Sequence, residues 1–151
     1  MDIGSGSGYP AGHLSNFTPH PFVLDGVECA SMEGFLQGLN FDNPEIQVEV
    51  CKLTGIAAKR RGGKRNKAWK RVQKLWWQGT AYGRQSKEYQ TLLDRAYRAM
   101  AENTKFKAAL LASGDAHLTH SIGNHNPSQT VLTKAEFCRR LTRLRETLRG
   151  A

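Results

Sequence analysis

The chain has 151 residues, 39% of them hydrophobic and 9% aromatic, which fits one globular domain and leaves too little chain for a second core. Lys and Arg outnumber Asp and Glu by 22 to 13, a formal charge of +9 that favours polyanionic partners, nucleic acid or phosphate-bearing small molecules, without naming an activity. No apolar run approaches the roughly 18 residues of a membrane span, the first residues lack the pattern of a secretory signal, and three scattered cysteines (Cys29, Cys51, Cys138) do not make a disulfide framework or a CxxC metal site. A cytoplasmic protein with reduced, buried thiols is expected, with no cofactor and no membrane partner.

In chain order, the glycine-rich start through Gly12 carries Gly-x-Gly spacing that lets backbone N–H groups approach a phosphate. No strand precedes these glycines, so a flexible tail is the preferred expectation. Pro21 to Ala30 reads as a β-hairpin turning at Asp25-Gly26, a pair suited to a two-residue turn. Ser31 then caps a helix running to Phe41. The helical period sets Glu33, Gln37 and Asn40 on one face, with Phe35, Leu36 and Leu39 largely on another. A carboxylate four residues before an amide, flanked by aromatics and preceded by Asn16-Phe17, points to a site. The plainer reading of Glu33 is a first-turn acid complementing the helix dipole.

Asn43-Pro44 marks the next helix start, and Thr54-Gly55 its end. Lys59 to Arg71 holds eight basic residues and no acidic one, including Lys59, Arg60, Arg61, Lys64 and Arg65. Two readings stay open there, a solvated loop and helix start or a phosphate-contacting rim in which Trp69 stacks on a base. Trp69, Val72, Leu75 and Trp76 follow helical spacing, with Trp76 expected in the core. Tyr89 to Met100 forms an amphipathic stripe, followed by a shorter apolar segment from Phe106 to Leu111. Gly114 suits a helix end and Asp115 the cap of a following turn, against its use as a second catalytic carboxylate. His117, His120 and His125 lie close in sequence without a third ligand at zinc-like spacing, so no metal is expected. Ser121 to Leu132 is a long polar loop of the kind that covers sites. Thr133-Lys134-Ala135-Glu136 is a capping box opening a last helix whose Phe137, Leu141, Leu144 and Leu148 face inward, with Arg139, Arg140, Arg143 and Arg149 on the opposite face. The sum is a mainly α (α+β) single domain over residues 1–151, with about six helices and one short N-terminal hairpin.

Leu14-Ser15-Asn16-Phe17, Ser31-x-Glu33-x-x-x-Gln37-x-x-x-Phe41, the basic run ending in Trp69, and Leu110-Leu111-Ala112-Ser113-Gly114-Asp115-Ala116-x-Leu118 together resemble the NADAR (YbiA-like) family in order and spacing, over most of the chain. The resemblance implies a compact, mostly helical fold and N-glycosidase chemistry. Family members cleave phosphorylated riboflavin-pathway intermediates or remove ADP-ribose from modified guanine in nucleic acid. Two places depart from the family pattern. Asn40 stands where a Lys is common, and Thr119 to His125 replaces an acidic residue and a Trp-Gly loop.

The chemistry suits the residues independently. Breaking a C1′–N bond develops positive charge at the anomeric carbon, which a partly buried carboxylate stabilises while it positions or deprotonates the attacking water. Glu33 is the candidate for that role and Asp115 the second carboxylate. Asn16, Phe17, Ser31, Gln37, Asn40, Trp69 and His120 are candidates for holding substrate, and Lys59, Arg60, Arg61, Lys64 and Arg65 for holding phosphate. The expected substrate is ADP-ribose-type, with ADP-ribosylated guanine in nucleic acid preferred over a phosphoribosyl metabolite of riboflavin synthesis. The alternative from another class is a binding module that captures a nucleotide or nucleic acid without turnover.

Overall fold

The computed structural model describes residues 1–150. A 3-10 turn (Ala11–Leu14) leads to strands β1 (Phe22–Leu24) and β2 (Val27–Cys29), then helices α1 (Met32–Gly38), α2 (Pro44–Cys51), α3 (Gly55–Gly63) and α4 (Asn66–Val72). Strands β3 (Lys74–Trp77) and β4 (Thr80–Gly83) follow, then α5 (Lys87–Met100), α6 (Thr104–Ala112) and α7 (Lys134–Arg149). Each β pair is an antiparallel hairpin of its own, with Phe22 opposite Cys29 in one and Leu75 opposite Tyr82 in the other. The architecture is α+β, dominated by helices.

The first hairpin turns at Asp25 (φ 50°) and Gly26 (φ 78°), the left-handed pair that matches strand twist. Ser31 caps α1 by accepting from Gly34 N at 3.0 Å, and Asn43 caps α2 by accepting from Glu45 N and Ile46 N, with Pro44 in the first turn. The capping box at Thr133 and Glu136 forms in both directions, 3.1 and 2.7 Å. The core gathers around α1. Phe35 meets the rings of Phe22 and Trp77 edge-on, the latter at 5.0 Å between centroids, and Tyr89, Leu93, Ala96 and Tyr97 of α5 are buried in the same cluster.

Several expectations are corrected. The helical spacing through Trp76 is interrupted after Val72. Gln73 takes a left-handed φ of 55°, and Leu75 and Trp77 then alternate inward along a strand while Trp76 is only half-buried. Gln78 (φ 48°) and Gly79 turn a second hairpin where only one was expected, and the basic run lies on two helices, α3 and α4, rather than on a loop and helix start. The N-terminus is not a loose tail. Ile3 is buried, and its N–H donates to Thr119 O at 2.8 Å while Thr119 N donates to Met1 O at 2.9 Å, a short parallel bridge. The Asp2 carboxylate accepts from Ser121 N (2.8 Å), Ser121 Oγ (2.6 Å) and Thr119 Oγ1 (3.1 Å); the Ser121 bonds are the main reason its acidity is increased. On α7, Arg140 is buried rather than solvated, pairing with Asp94 at 2.9 Å and donating to Gln90 Oε1 at 2.6 Å. Cys29 and Cys51 are buried free thiols, but Cys138 is only half-buried.

Behind the polar loop lies a buried ionic knot. Arg84 grips Glu136 with both guanidinium nitrogens, at 2.7 and 3.2 Å, and donates from Nε to Thr130 O at 2.8 Å. Tyr89 Oη donates to Val131 O at 2.6 Å and Gln73 Nε2 to Ser128 O at 3.0 Å, so three side chains hold the loop's carbonyls from inside. Burial opposes ionisation of Glu136, but Arg84, the Thr133 N–H and Gln90 outweigh it and hold the carboxyl at about 2. A lowered folded value means stability present above the ordinary value of 4.5 and lost as pH falls toward 2. Acid titration of the folded protein should therefore remove about 3 kcal/mol between pH 4.5 and 2 through this group, read by urea midpoints at each pH, and Glu136→Gln should flatten that part of the curve.

Candidate active site

A cleft of about 530 Å³ opens between the loop before β1, the first turn of α1 and the polar loop before α7. Ser5, Ser15, Asn16 and Phe17 line it from the N-terminal side, and Glu33, Leu36 and Gln37 from α1. Lys59 of α3 stands at its edge, exposed. His120 and Asn124 form part of the far wall, with Gln129, Thr130, Val131 and Leu132 and the ring of Phe137 completing it. That size suits one nucleotide-scale ligand.

Glu33 sits where α1 is anchored to the neighbouring loop, its backbone N–H donating to Asn16 O at 3.0 Å. Gln37, one turn on, donates from Nε2 to Glu33 Oε1 at 2.9 Å and so fixes the carboxylate's rotamer. The second oxygen is left for the cleft. Desolvation raises the Glu33 pKa, and this outweighs the opposing effects of the Gln37 bond and of the charges on Lys59 and His120. Asn16 Oδ1 accepts from the buried Tyr97 hydroxyl at 2.8 Å, which leaves its amide N–H₂ to serve the cleft. Burial raises the Tyr97 pKa well above its ordinary value, so it remains a donor.

Gly62 explains why Gln37 can take this position. A Cβ at Gly62 would overlap the Gln37 amide and come within 2.6 Å of Gln37 Cβ, so α3 approaches α1 through a glycine.

Of the residues expected from the sequence, Asn16, Phe17, Glu33, Gln37, Lys59 and His120 meet at the cleft. The others lie elsewhere. Ser31 is fully buried as the α1 cap and donates to Leu53 O at 3.2 Å. Asn40 shares the helical face of Glu33 in projection, but α1 ends at Gly38 and α3 closes over the residues beyond that end. The Asn40 Nδ2 donates to Gly62 O at 3.1 Å in a closed interior. Trp69 is 1% exposed with its indole N–H on Asn66 Oδ1 at 3.3 Å, a core residue that no base can stack on. Asp115 has a side chain 95% exposed, paired with Arg149 at 2.8 Å on the surface and remote from the cleft. Arg61 lies over the Phe41 ring and reaches Glu49 at 3.7 Å, and Arg65 reaches Asp42 at 3.9 Å. Arg60 and Lys64 are exposed outside the cleft.

The residues that sequence reasoning missed are Ser5, Ser15 and the walls from Asn124 to Leu132. Their signals were the Gly-x-Gly start and the long polar loop, neither of which says which residues face inward.

The model of the family described as bacteriophage protein GP30.3 matches residues 8–146. The chain belongs to that family. This GP30.3-family chain is 38% identical over 150 residues to a 17.1 kDa protein from the Gp30-rIII intergenic region of Enterobacteria phage T4, covering 98% of each chain. It also superposes on the NMR structure of the E. coli protein YbiA with a TM-score of 0.64 at 21% identity, over 99% of this chain and 84% of that one. The GP30.3-family fold is thus YbiA-like, as the NADAR resemblance implied.

Two substitutions at the cleft have measurable outcomes. Gly62→Ala should dislodge Gln37 and leave Glu33 with one fewer partner, costing about 1–3 kcal/mol of stability in a denaturant titration. Because Glu33 has a raised folded pKa, its ionisation works against folding, and stability falls as pH rises through that value. Glu33→Gln should therefore be more stable than the parent protein at pH 7 in thermal melts, with the difference shrinking toward pH 4.

Proposed function

We propose that the protein is a metal-independent N-glycosidase that hydrolyses the C1′–N bond of an ADP-ribose-type substrate, with ADP-ribosylated guanine in nucleic acid as the preferred form, in the cytoplasm. The observation that carries this reading is the desolvated Glu33 carboxylate, held by Gln37 on one oxygen and open to a nucleotide-sized cleft on the other.

The bond to the base breaks with its electron pair moving to nitrogen, and C1′ becomes cationic. A negative charge in a poorly solvated wall is worth more there than in water, so Glu33 stabilises that cation more than the neutral sugar. Its free oxygen also takes a proton from the water that attacks C1′. Asn16 offers an amide donor to ribose hydroxyls, Phe17 an apolar face, and Lys59 a cation for a phosphate at the cleft edge. Buried Tyr97 keeps Asn16 in place.

The exposed cations Lys59, Arg60 and Lys64 extend from the cleft edge along α3 and the turn beyond it, which supports a polymeric anion over a free metabolite. Arg61 and Arg65 are engaged with Asp42, Glu49 and Phe41 and contribute less. Asn40, which stands where family members commonly carry Lys, is enclosed and is not among the residues lining the cleft.

The test is release of ADP-ribose from guanine-modified DNA, with a phosphorylated riboflavin-pathway intermediate assayed in parallel. Glu33→Gln should lower kcat by about two to three orders of magnitude on whichever substrate is cleaved. Tight binding with no product from either substrate would replace the enzyme reading with the binding one.

A further inference from the structure

A C1′–N bond to a nucleobase breaks slowly unless the departing nitrogen receives a proton, and Glu33 is occupied with water and the anomeric centre. The cleft wall holds two other titratable side chains, Lys59 and His120. Lys59 is exposed at the edge, whereas His120 is half-buried and held rigidly.

His120 Nδ1 lies 2.8 Å from Ile3 O. A carbonyl oxygen only accepts, so Nδ1 carries the hydrogen in that contact and Nε2 is the nitrogen left to exchange a proton. Nε2 has no protein partner and is not sealed in the interior, and the ring lines the cleft. Phe137 meets the imidazole edge-on at 5.2 Å and 71°, which sets the plane of the ring. The segment carrying His120 is held by residues 1–3 through the Asp2–Thr119 bridge and by the Asp2 clamp on Ser121. His120 is also close enough to Glu33 for its charge to act on that carboxyl. The two groups reach the cleft from separate elements, α1 and the segment after α6.

We propose that His120, rather than only contacting substrate, is the general acid that protonates the leaving base through Nε2, and that the N-terminal segment serves to aim it. This rests on the N-glycosidase reading. As the C1′–N bond breaks, its electron pair goes to the base nitrogen, which takes the Nε2 proton of the imidazolium. Water oxygen bonds to C1′ and its proton passes to Glu33. Glu33 then loses that proton to solvent, and solvent reprotonates His120 before the next turnover.

The discriminating experiment compares two substrates that share ADP-ribose and differ in what departs from C1′: guanine, which needs a proton, and 4-nitrophenolate, which leaves without one. His120→Gln removes the acid. His120→Asn also removes it but keeps an N–H donor for Ile3 O, so one variant retains the anchoring contact. Both variants should lose about 100-fold or more in kcat with guanine and less than about 10-fold with nitrophenolate, with unchanged near-UV circular dichroism in His120→Asn. Equal losses on both substrates, or no loss on guanine, overturn the general-acid role while leaving the glycosidase intact. Release of guanine but not nitrophenolate by the parent protein also counts against it, because a better leaving group would then bring no gain. Cleavage of neither by the parent protein removes the glycosidase reading and this role together.

Discussion

The structure depends on one guanidinium taken out of water. Arg84 is 1% exposed, and its charge is neutralised by Glu136 while its Nε–H is given to the Thr130 carbonyl and its face to the Tyr89 ring at 5.1 Å. Burying two charges costs several kcal/mol per ion before their attraction is counted, so such a pair adds little net stability over a well-packed apolar one. What it adds here is connection. A residue just past the second hairpin, the cap of the last helix and the floor of a long loop are made to coincide at a single point.

That connection answers a difficulty posed by the loop before α7. A polar stretch of this length has no ladder of its own to satisfy its carbonyls, and loops of that kind are ordinarily mobile. Gln73, Arg84 and Tyr89 supply donors to Ser128, Thr130 and Val131 from the interior, which leaves the outer side of the same stretch to form a wall of the cleft. The N-terminal residues do the corresponding work for the segment through Ser121, using the Asp2 carboxylate and two backbone bonds. The cleft is thus built largely from irregular backbone, yet each wall is tied to a regular element or to the chain end. Preorganisation of that kind is what allows a fixed charge to favour a transition state over a ground state.

Glu33 illustrates a related trade. Its desolvation makes the folded protein less stable at neutral pH, and the same desolvation makes its negative charge effective against a developing cation. Gln37 limits the cost by donating one hydrogen bond, and Gly62 makes room for Gln37 by bringing α3 in without a side chain. A short chain of steric and polar dependencies therefore runs from a helix–helix contact to the oxygen that faces the cleft.

Much of this was legible in the sequence because it is local. Ser31, Asn43 and Thr133 cap helices through bonds that span three residues or fewer, Asp25-Gly26 turns a hairpin by its own backbone preference, and the spacing of Glu33 and Gln37 already implies their contact. The family resemblance was legible for the same reason, since ordered motifs survive as strings. The break at Gln73 was not, because the apolar positions from Trp69 to Trp76 satisfy a helical period and only pairing with β4 makes Leu75 and Trp77 the inward pair. Nor could one-dimensional spacing reveal that Asn40 and Trp69 are enclosed, that Asp115 is turned to solvent, or that Ile3 is buried against the His120 segment. Those facts rest on which surfaces meet after the helices pack, with partners up to 119 residues apart. The sequence by itself determined most of the elements, their caps and the carboxylate–amide pair; tertiary packing alone decided which polar side chains face a common cavity, because burial is a property of the neighbours and not of the residue.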